Sequence, residues 1–370
     1  MTKKNILCVF GTRPEVIKMA SIITQLKNDQ ECSLRVLSTA QHRDMLDQML
    51  NIFSIVPDCD LNIMEKNQSL ASLTSKLPLP LDRVLKKEKP DIVLVQGDTT
   101  TAFLMSLACF YRKIPVGHVE AGLRTKAFYN PFPEEMNRVL ISRLSTLHFA
   151  PTEQAKENLL QEGCEKTQIF VTGNTVIDAL KTLINRNVPL KLPLEEDKKL
   201  VLATLHRREH FGAPIEHICE ALRILIEKND DLQLLLPVHP NPHVKSTVYK
   251  ILKNHPRIIL TEPLPYDQFV KLMQKAYLIL TDSGGVQEEA PYLGTPVLVL
   301  RENTERPEGA DCGASKLIGI NKEKIIRQTQ NLLDDKNLYQ TMKCSSCPYG
   351  DGTSGNKIIE IVKRHLQCTP

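Results

Sequence analysis

The stretch LILTDSGGVQEEAPYLGTPVLVL, residues 278–300, puts Ser283 and two glycines directly after an apolar run and follows them with Glu288 and Glu289. Residues 277–281 (YLILT) read as a buried strand, VQEEAPYLG as a short helix and PVLVL as the next strand. Ser-Gly-Gly then falls at a strand-to-helix turn. Glycine lets the backbone approach a ligand, and the free N–H groups and positive dipole end of a helix attract phosphate. A diphosphate cradle and a plain tight turn both fit this stretch taken alone.

The same alternation extends in both directions. Strand-like runs occur at 6–10 (ILCVF), 34–38 (LRVLS), 91–96 (DIVLVQ), 115–119 (PVGHV), 147–150 (LHFA) and 168–172 (QIFVT), with helical stretches between them. A polar, proline-containing segment with little periodicity, LINRNVPLKLPLEEDKK, interrupts the pattern after residue 180. The alternation resumes at 200–205, 232–238, 257–261, 277–281 and 296–300. We therefore expect an α/β protein of two Rossmann-like, doubly wound domains, 1–180 and 181–370, facing a central cleft, with the last helix able to pack back on the first domain. Ligands of such sheets bind at the carboxyl ends of the strands.

Composition narrows the classes. At 370 residues the chain exceeds what one core usually supports, and 42% hydrophobic with 24% charged residues is ordinary for a globular enzyme. A net charge of +4 without a basic run or interleaved aromatics does not indicate nucleic acid. The N-terminal MTKKNILCVFGTRPE reads as neither a signal peptide nor a membrane span. Ten cysteines, several inside apolar runs (Cys8, Cys109, Cys219), suggest a reduced cytoplasmic protein.

The chemistry-bearing residues follow the strands. Gly11, Thr12, Arg13, Pro14 and Glu15 come after the first, with Lys18 one turn on; Asp98 follows the third, and Glu120 and Arg124 the fourth. Asp98, Glu120 and Glu134, with Glu135 beside it, could supply paired carboxylates for acid and base work. Asp98 before a threonine triplet also reads as a helix N-cap, and Glu134 after Pro133 as a first-turn acid. Arg13, Lys18, Arg124, Arg138 and Arg306 suit phosphate or carboxylate partners. HRREH (206–210) matches an inverted zinc-peptidase pattern, but it follows a strand directly, where both histidines would not share a helix face. His239 and His243 are separated by prolines and read as a loop, and the lone Cys344/Cys347 pair has no second pair. No metal site is expected.

The series FGTRPEVIKMA, VQGDTTTA, GHVEAGLRT, PFPEEMNR, APTEQAKENLLQEG, VTGNTVIDAL, LATLHRRE, PVHPNP, TDSGGVQEEAPYLGTPVLVLR, TERPEG and CPYGDG resembles the non-hydrolysing UDP-N-acetylglucosamine 2-epimerases over nearly the whole chain. The resemblance implies a glycosyltransferase-B type fold. It also implies reversible conversion of UDP-GlcNAc to UDP-ManNAc through UDP elimination and a 2-acetamidoglucal, for surface polysaccharide synthesis, by a homodimer. It places Asp98, Glu120, Glu134 and His206 among the catalytic groups. Arg13, Lys18, Arg138, His239, Ser283, Gly284, Gly285, Glu289 and Arg306 would contact substrate, and no cofactor is implied. A second, activating UDP-GlcNAc would involve Gln41, His42 and Arg43, although Asp44 stands where the family often has Gln. His210 replaces a usual Asn and Phe132 a usual Trp. Alternatives are a hydrolysing 2-epimerase releasing UDP and free ManNAc, a retaining glycosyltransferase, and a catalytically silent nucleotide-sugar sensor.

Overall fold

The computed structural model describes residues 3–41, 43–65, 68–186, 188–207, 212–304, 306–343 and 347–368. The chain forms two compact units, Met1–Lys181 with Tyr349–Pro370, and Thr182–Pro348.

In the first unit the strands are β1 (Lys4–Phe10), β2 (Cys32–Ser38), β3 (Cys59–Asp60), β4 (Ile92–Gln96), β5 (Val116–Val119), β6 (Leu147–Ala150) and β7 (Ile169–Val171). They make a parallel sheet in the order β3-β2-β1-β4-β5-β6-β7. Helices cover both faces, which is why Ile6–Phe10 and Ile92–Gln96 are buried without interruption and read as continuous runs rather than alternating ones. In the second unit β8 (Lys199–Thr204), β9 (Leu232–Pro237), β10 (Ile258–Thr261), β11 (Leu278–Thr281), β12 (Val297–Val299) and β13 (Ser315–Leu317) pair in parallel as β10-β9-β8-β11-β12-β13. Each sheet is wound outward from its middle, so the chain reverses direction between β1 and β4 and between β8 and β11. Such switch points leave a crevice at the carboxyl ends of the two strands concerned.

Two strands escaped the sequence reading. β3 is two residues long and β13 is the polar tripeptide Ser-Lys-Leu; both lie at sheet edges, held by backbone pairing such as Leu37↔Cys59 and Val297↔Ser315. Neither has enough length for a hydrophobic period to show.

The helix Ser354–Cys368 belongs to the first unit, against the helix Arg13–Lys27. Asp178 accepts hydrogen bonds from the backbone N–H of Ser354 (3.2 Å) and Gly355 (2.8 Å), closing that helix's N-terminus. A side chain at Gly355 would press on Ser21 Oγ at 2.8 Å and Gln25 Nε2 at 2.9 Å, so glycine permits the close approach.

Gly122, inside the EAGLR motif, has φ +91°, and a Cβ there would drive into the Ala155 peptide, whose carbonyl carbon lies 2.8 Å away. Backbone cannot rotate aside as a side chain can. Gly122→Ala is expected to destabilise the first unit by about 3 kcal/mol, read as a lower urea midpoint at unchanged slope. A midpoint equal to wild type would refute this account of the turn. No helix among the described residues is long and apolar enough to cross a membrane, and the described cysteines are free thiols.

Candidate functional site

In the first unit the carboxyl ends of β1, β4 and β5 lie side by side and bring together residues far apart in sequence. Glu120 follows β5 with φ +64°, a left-handed conformation that costs a non-glycine residue of order 1 kcal/mol and is found where surroundings enforce it. Its carboxylate is buried and held at both oxygens. Oε1 pairs with Lys18 Nζ and accepts from Asn174 Nδ2 at 3.1 Å, and Oε2 accepts from Gln96 Nε2. A buried carboxylate persists only with a paired cation and filled lone pairs, which Lys18 and the two amides supply.

Asp98 is held differently. The Arg138 fork meets one oxygen, Oδ2, with Nε at 2.9 Å and Nη2 at 2.7 Å, and the side chain is 26% exposed. Oδ1 has no hydrogen-bond partner among the described residues. The N-cap reading of Asp98 is corrected: Thr99 caps the helix Thr100–Tyr111, accepting from the Ala102 N–H at 3.0 Å. Asp98 is thereby released to pair with Arg138. Glu134, the first residue of the helix Glu134–Leu144, is half-buried, with no partner among the described residues.

Glu135 behind it anchors the preceding loop, accepting from the N–H groups of Thr125 and Lys126 (each 3.0 Å) and from Arg138 Nη1 (3.0 Å). Arg124 is committed to structure, forked onto Glu162 at 2.6 and 2.7 Å and buried. Arg13 is half-buried at the start of its helix.

Glu15 ties two of these strand ends together. Its Oε2 accepts from Gly11 N–H (2.9 Å), Thr12 N–H (2.8 Å) and the Thr12 hydroxyl (2.8 Å), and its Oε1 from the Thr99 hydroxyl (2.7 Å). Burial pushes its pKa up to about 7 against the downward pull of those four donors.

In the second unit His206 follows β8, and Ser283 follows β11 across the switch point. Asp282, fully buried, accepts from the backbone N–H of His206 (3.0 Å) and Arg207 (3.0 Å), and its Oδ1 lies 2.8 Å from His206 Nδ1. The carboxylate fixes the ring so that Nε2 is directed away from it, the arrangement that orients catalytic histidines elsewhere. His239, after β9, accepts the Asn241 N–H at Nδ1 (3.2 Å). Its pKa is depressed by burial first and by repulsion from His206 second.

Ser283 is the N-cap of the helix Gly284–Tyr292, so the two glycines form its first turn rather than a turn ahead of it. Ser283 N–H donates to Thr281 Oγ1 at 2.9 Å. Arg306 is buried and donates from Nε to Glu288 Oε1 at 2.6 Å, while Glu289 is buried in the same helix. The loop reading of His243 is also corrected: it lies in the first turn of the helix Pro242–Leu252, which tolerates Pro242 at its first position.

Of the proposed activator residues, Gln41 packs beside Gly11 and accepts from Thr101 Oγ1 at 3.3 Å. Arg43 is paired with Asp47 (3.0 Å) and Asp60. His42, Glu209, His210 and Cys344 lie outside the described residues. Among the described residues no group of three His, Cys, Asp or Glu could hold a metal ion.

Gln96, Asn174, Asn137 and Asp282 were missed in the sequence. Gln96 had a usable signal, a polar residue closing an apolar strand, and Asp282 stands inside the opening stretch.

The profile described as UDP-N-acetylglucosamine 2-epimerase matches residues 24–363. A Campylobacter jejuni protein of that name is 50% identical over 372 residues, spanning 97% of this chain and 97% of its own. A Bacillus subtilis protein of the same name is 50% identical over 367 residues, 99% of this chain and 96% of its own. The structure of a UDP-GlcNAc 2-epimerase from Neisseria meningitidis bound to UDP-GlcNAc superposes with a TM-score of 0.91 at 46% identity, over 97% of this chain and 100% of that one.

Proposed function

The chain belongs to the UDP-N-acetylglucosamine 2-epimerase family, of the non-hydrolysing kind, and from that premise we propose how its residues interconvert UDP-GlcNAc and UDP-ManNAc. The carrying observation is the contrast between Asp98, with one oxygen pinned by Arg138 and the other without a partner among the described residues, and Glu120, with both oxygens held.

The C2 proton beside an acetamido group is not acidic, so departure of UDP leads. The C1–O bond breaks with its electron pair going to the diphosphate, and oxocarbenium-like charge builds at C1. A carboxylate then takes the C2 proton, and the C–H electrons become the C1–C2 double bond of the 2-acetamidoglucal. Re-addition of UDP with protonation on the other face completes the inversion. The cycle is redox-neutral and needs neither metal nor nicotinamide.

Asp98 and Glu134, each with an oxygen available, move the proton. Glu120, fixed and balanced by Lys18, stabilises the developing cation. In the second unit Ser283, Gly284 and Gly285 present a helix N-terminus to the diphosphate, with Arg306 as its cation and Glu289 for the ribose hydroxyls. His206, aligned by Asp282, and His239 serve the departing diphosphate. Arg13, Lys18 and Arg138 would contact the substrate from the first unit. Free thiols in the described residues support a reducing, cytoplasmic setting. Exposed Phe110 and Tyr111 support self-association as a homodimer.

The test is incubation with UDP-GlcNAc in EDTA, followed by proton NMR. A second sugar nucleotide with the anomeric signal of UDP-ManNAc, reaching the same ratio from either side, is expected. Free ManNAc with UDP would establish the hydrolysing reaction, unchanged UDP-GlcNAc the silent sensor, and activity restored only by zinc a metal enzyme.

A further inference from the structure

The turn that bears Asp98 is gripped from behind at each of its three residues. His118 Nε2 lies 2.7 Å from the carbonyl oxygen of Gly97, which has φ +70°. Asn137 Nδ2 donates to the carbonyl of Asp98 itself at 2.8 Å. Glu15 accepts from the Thr99 hydroxyl at 2.7 Å. The His118 contact is the unusual one. His118 sits on β5 facing its β4 neighbour in the sheet register, beside Val95, and is completely buried.

A carbonyl oxygen only accepts, so Nε2 carries the hydrogen, and Nδ1 of the neutral ring is then an acceptor. That Nδ1 has no hydrogen-bond partner among the described residues. A core position that leaves a buried ring nitrogen unsatisfied is costly compared with an apolar residue of similar size. The one hydrogen bond the ring makes is to the peptide next to Asp98. Burial pushes the ring's pKa down to about 3, so the donor stays neutral and in the same tautomer across the working pH range.

We propose that His118 is a positioning residue for the epimerisation: by donating from Nε2 to the Gly97 carbonyl it sets the direction in which the Asp98 carboxylate meets the sugar. This rests on the reading of Asp98 as a proton-transfer group. It predicts that the donor matters and the ring does not. Displacement of a catalytic carboxylate by about 1 Å costs up to about 100-fold in rate, because the reacting atoms no longer align.

The experiment compares His118→Gln, His118→Asn, His118→Phe and Asp98→Asn in the full-length chain, measuring kcat, KM and UDP affinity, with thermal unfolding as a control. A glutamine Nε2 reaches to about where the imidazole Nε2 lies; an asparagine amide stops at the Nδ1 position. His118→Asn is expected to lose about 10- to 100-fold in kcat with KM and UDP affinity within about twofold, and His118→Gln to recover most of the loss. His118→Phe should match His118→Asn. Should it not fold, the Gln and Asn pair still decides the matter.

Equal losses in Gln and Asn, full kcat in Asn, or a loss that follows melting temperature instead of donor reach would overturn the inference. Asp98→Asn separates the two ideas. If it is nearly inactive while every His118 variant turns over normally, only the inference about His118 fails. If Asp98→Asn itself turns over normally, the underlying reading of Asp98 fails.

Discussion

Asp98→Asn is expected to lower turnover by about 10²- to 10⁴-fold, the usual contribution of a positioned acid or base, while UDP affinity changes less than about twofold. The geometry makes this a clean substitution. Arg138 grips a single oxygen of Asp98, at 2.9 and 2.7 Å, and an asparagine oxygen can accept both bonds. Arg138 also keeps its contact with Glu135. What is lost is the negative charge and the capacity of the second oxygen to take a proton.

The comparison variant is Arg306→Gln, because an alanine there would strip the buried Glu288 of the cation 2.6 Å away and confuse binding with folding. Glutamine keeps a donor toward Glu288 and removes the charge. It should weaken UDP binding about tenfold, the scale of one charge-assisted contact to a diphosphate. Calorimetry in which Asp98→Asn lost UDP as severely as Arg306→Gln would sink this division of labour.

The second expectation is an isotope result of all-or-none size. In deuterium oxide, UDP-ManNAc formed from UDP-GlcNAc should carry deuterium at C2, because that carbon becomes planar in the glucal and the returning proton arrives on the opposite face. Asp98 is 26% exposed and Glu134 half-buried, so both can exchange with water. A label in the bridging oxygen between C1 and the diphosphate should scramble with the non-bridging positions, since the C1–O bond breaks and the phosphate group can rotate before re-addition. Product whose C2 hydrogen is wholly retained would rule out elimination, whatever the fate of the family assignment.

The period and spacing of apolar runs suffice to expect parallel α/β sheets, because a strand buried on both faces must be apolar throughout and each crossover needs a helix. The same rule places function at strand ends. Asp98, Glu120, His206 and Ser283 each stand within three residues of a strand's last residue, so their location was legible. What holds them was not. Glu120 is gripped by residues 24, 54 and 102 positions away, and His206 by a carboxylate 76 away.

Local reading left Asp98 open between a helix cap and acid or base chemistry, because Asp is a favoured cap; in the fold Thr99 makes the cap and Asp98 pairs with Arg138, 40 residues along the chain. His118 looked like an ordinary strand residue, and Gln96 showed only as a polar residue closing an apolar strand, until the fold brought them against Gly97 and Glu120. The sequence by itself therefore determined the kind of sheet, the strand-end positions of the candidate site residues and, through its motifs, the family. Only the tertiary structure decided the pairings of buried charges and the place of the last helix in the first unit. Periodicity and turn chemistry act between neighbours a few residues apart, whereas the partner of a buried charge is whichever group the packed elements bring within 3 Å, at any distance along the chain.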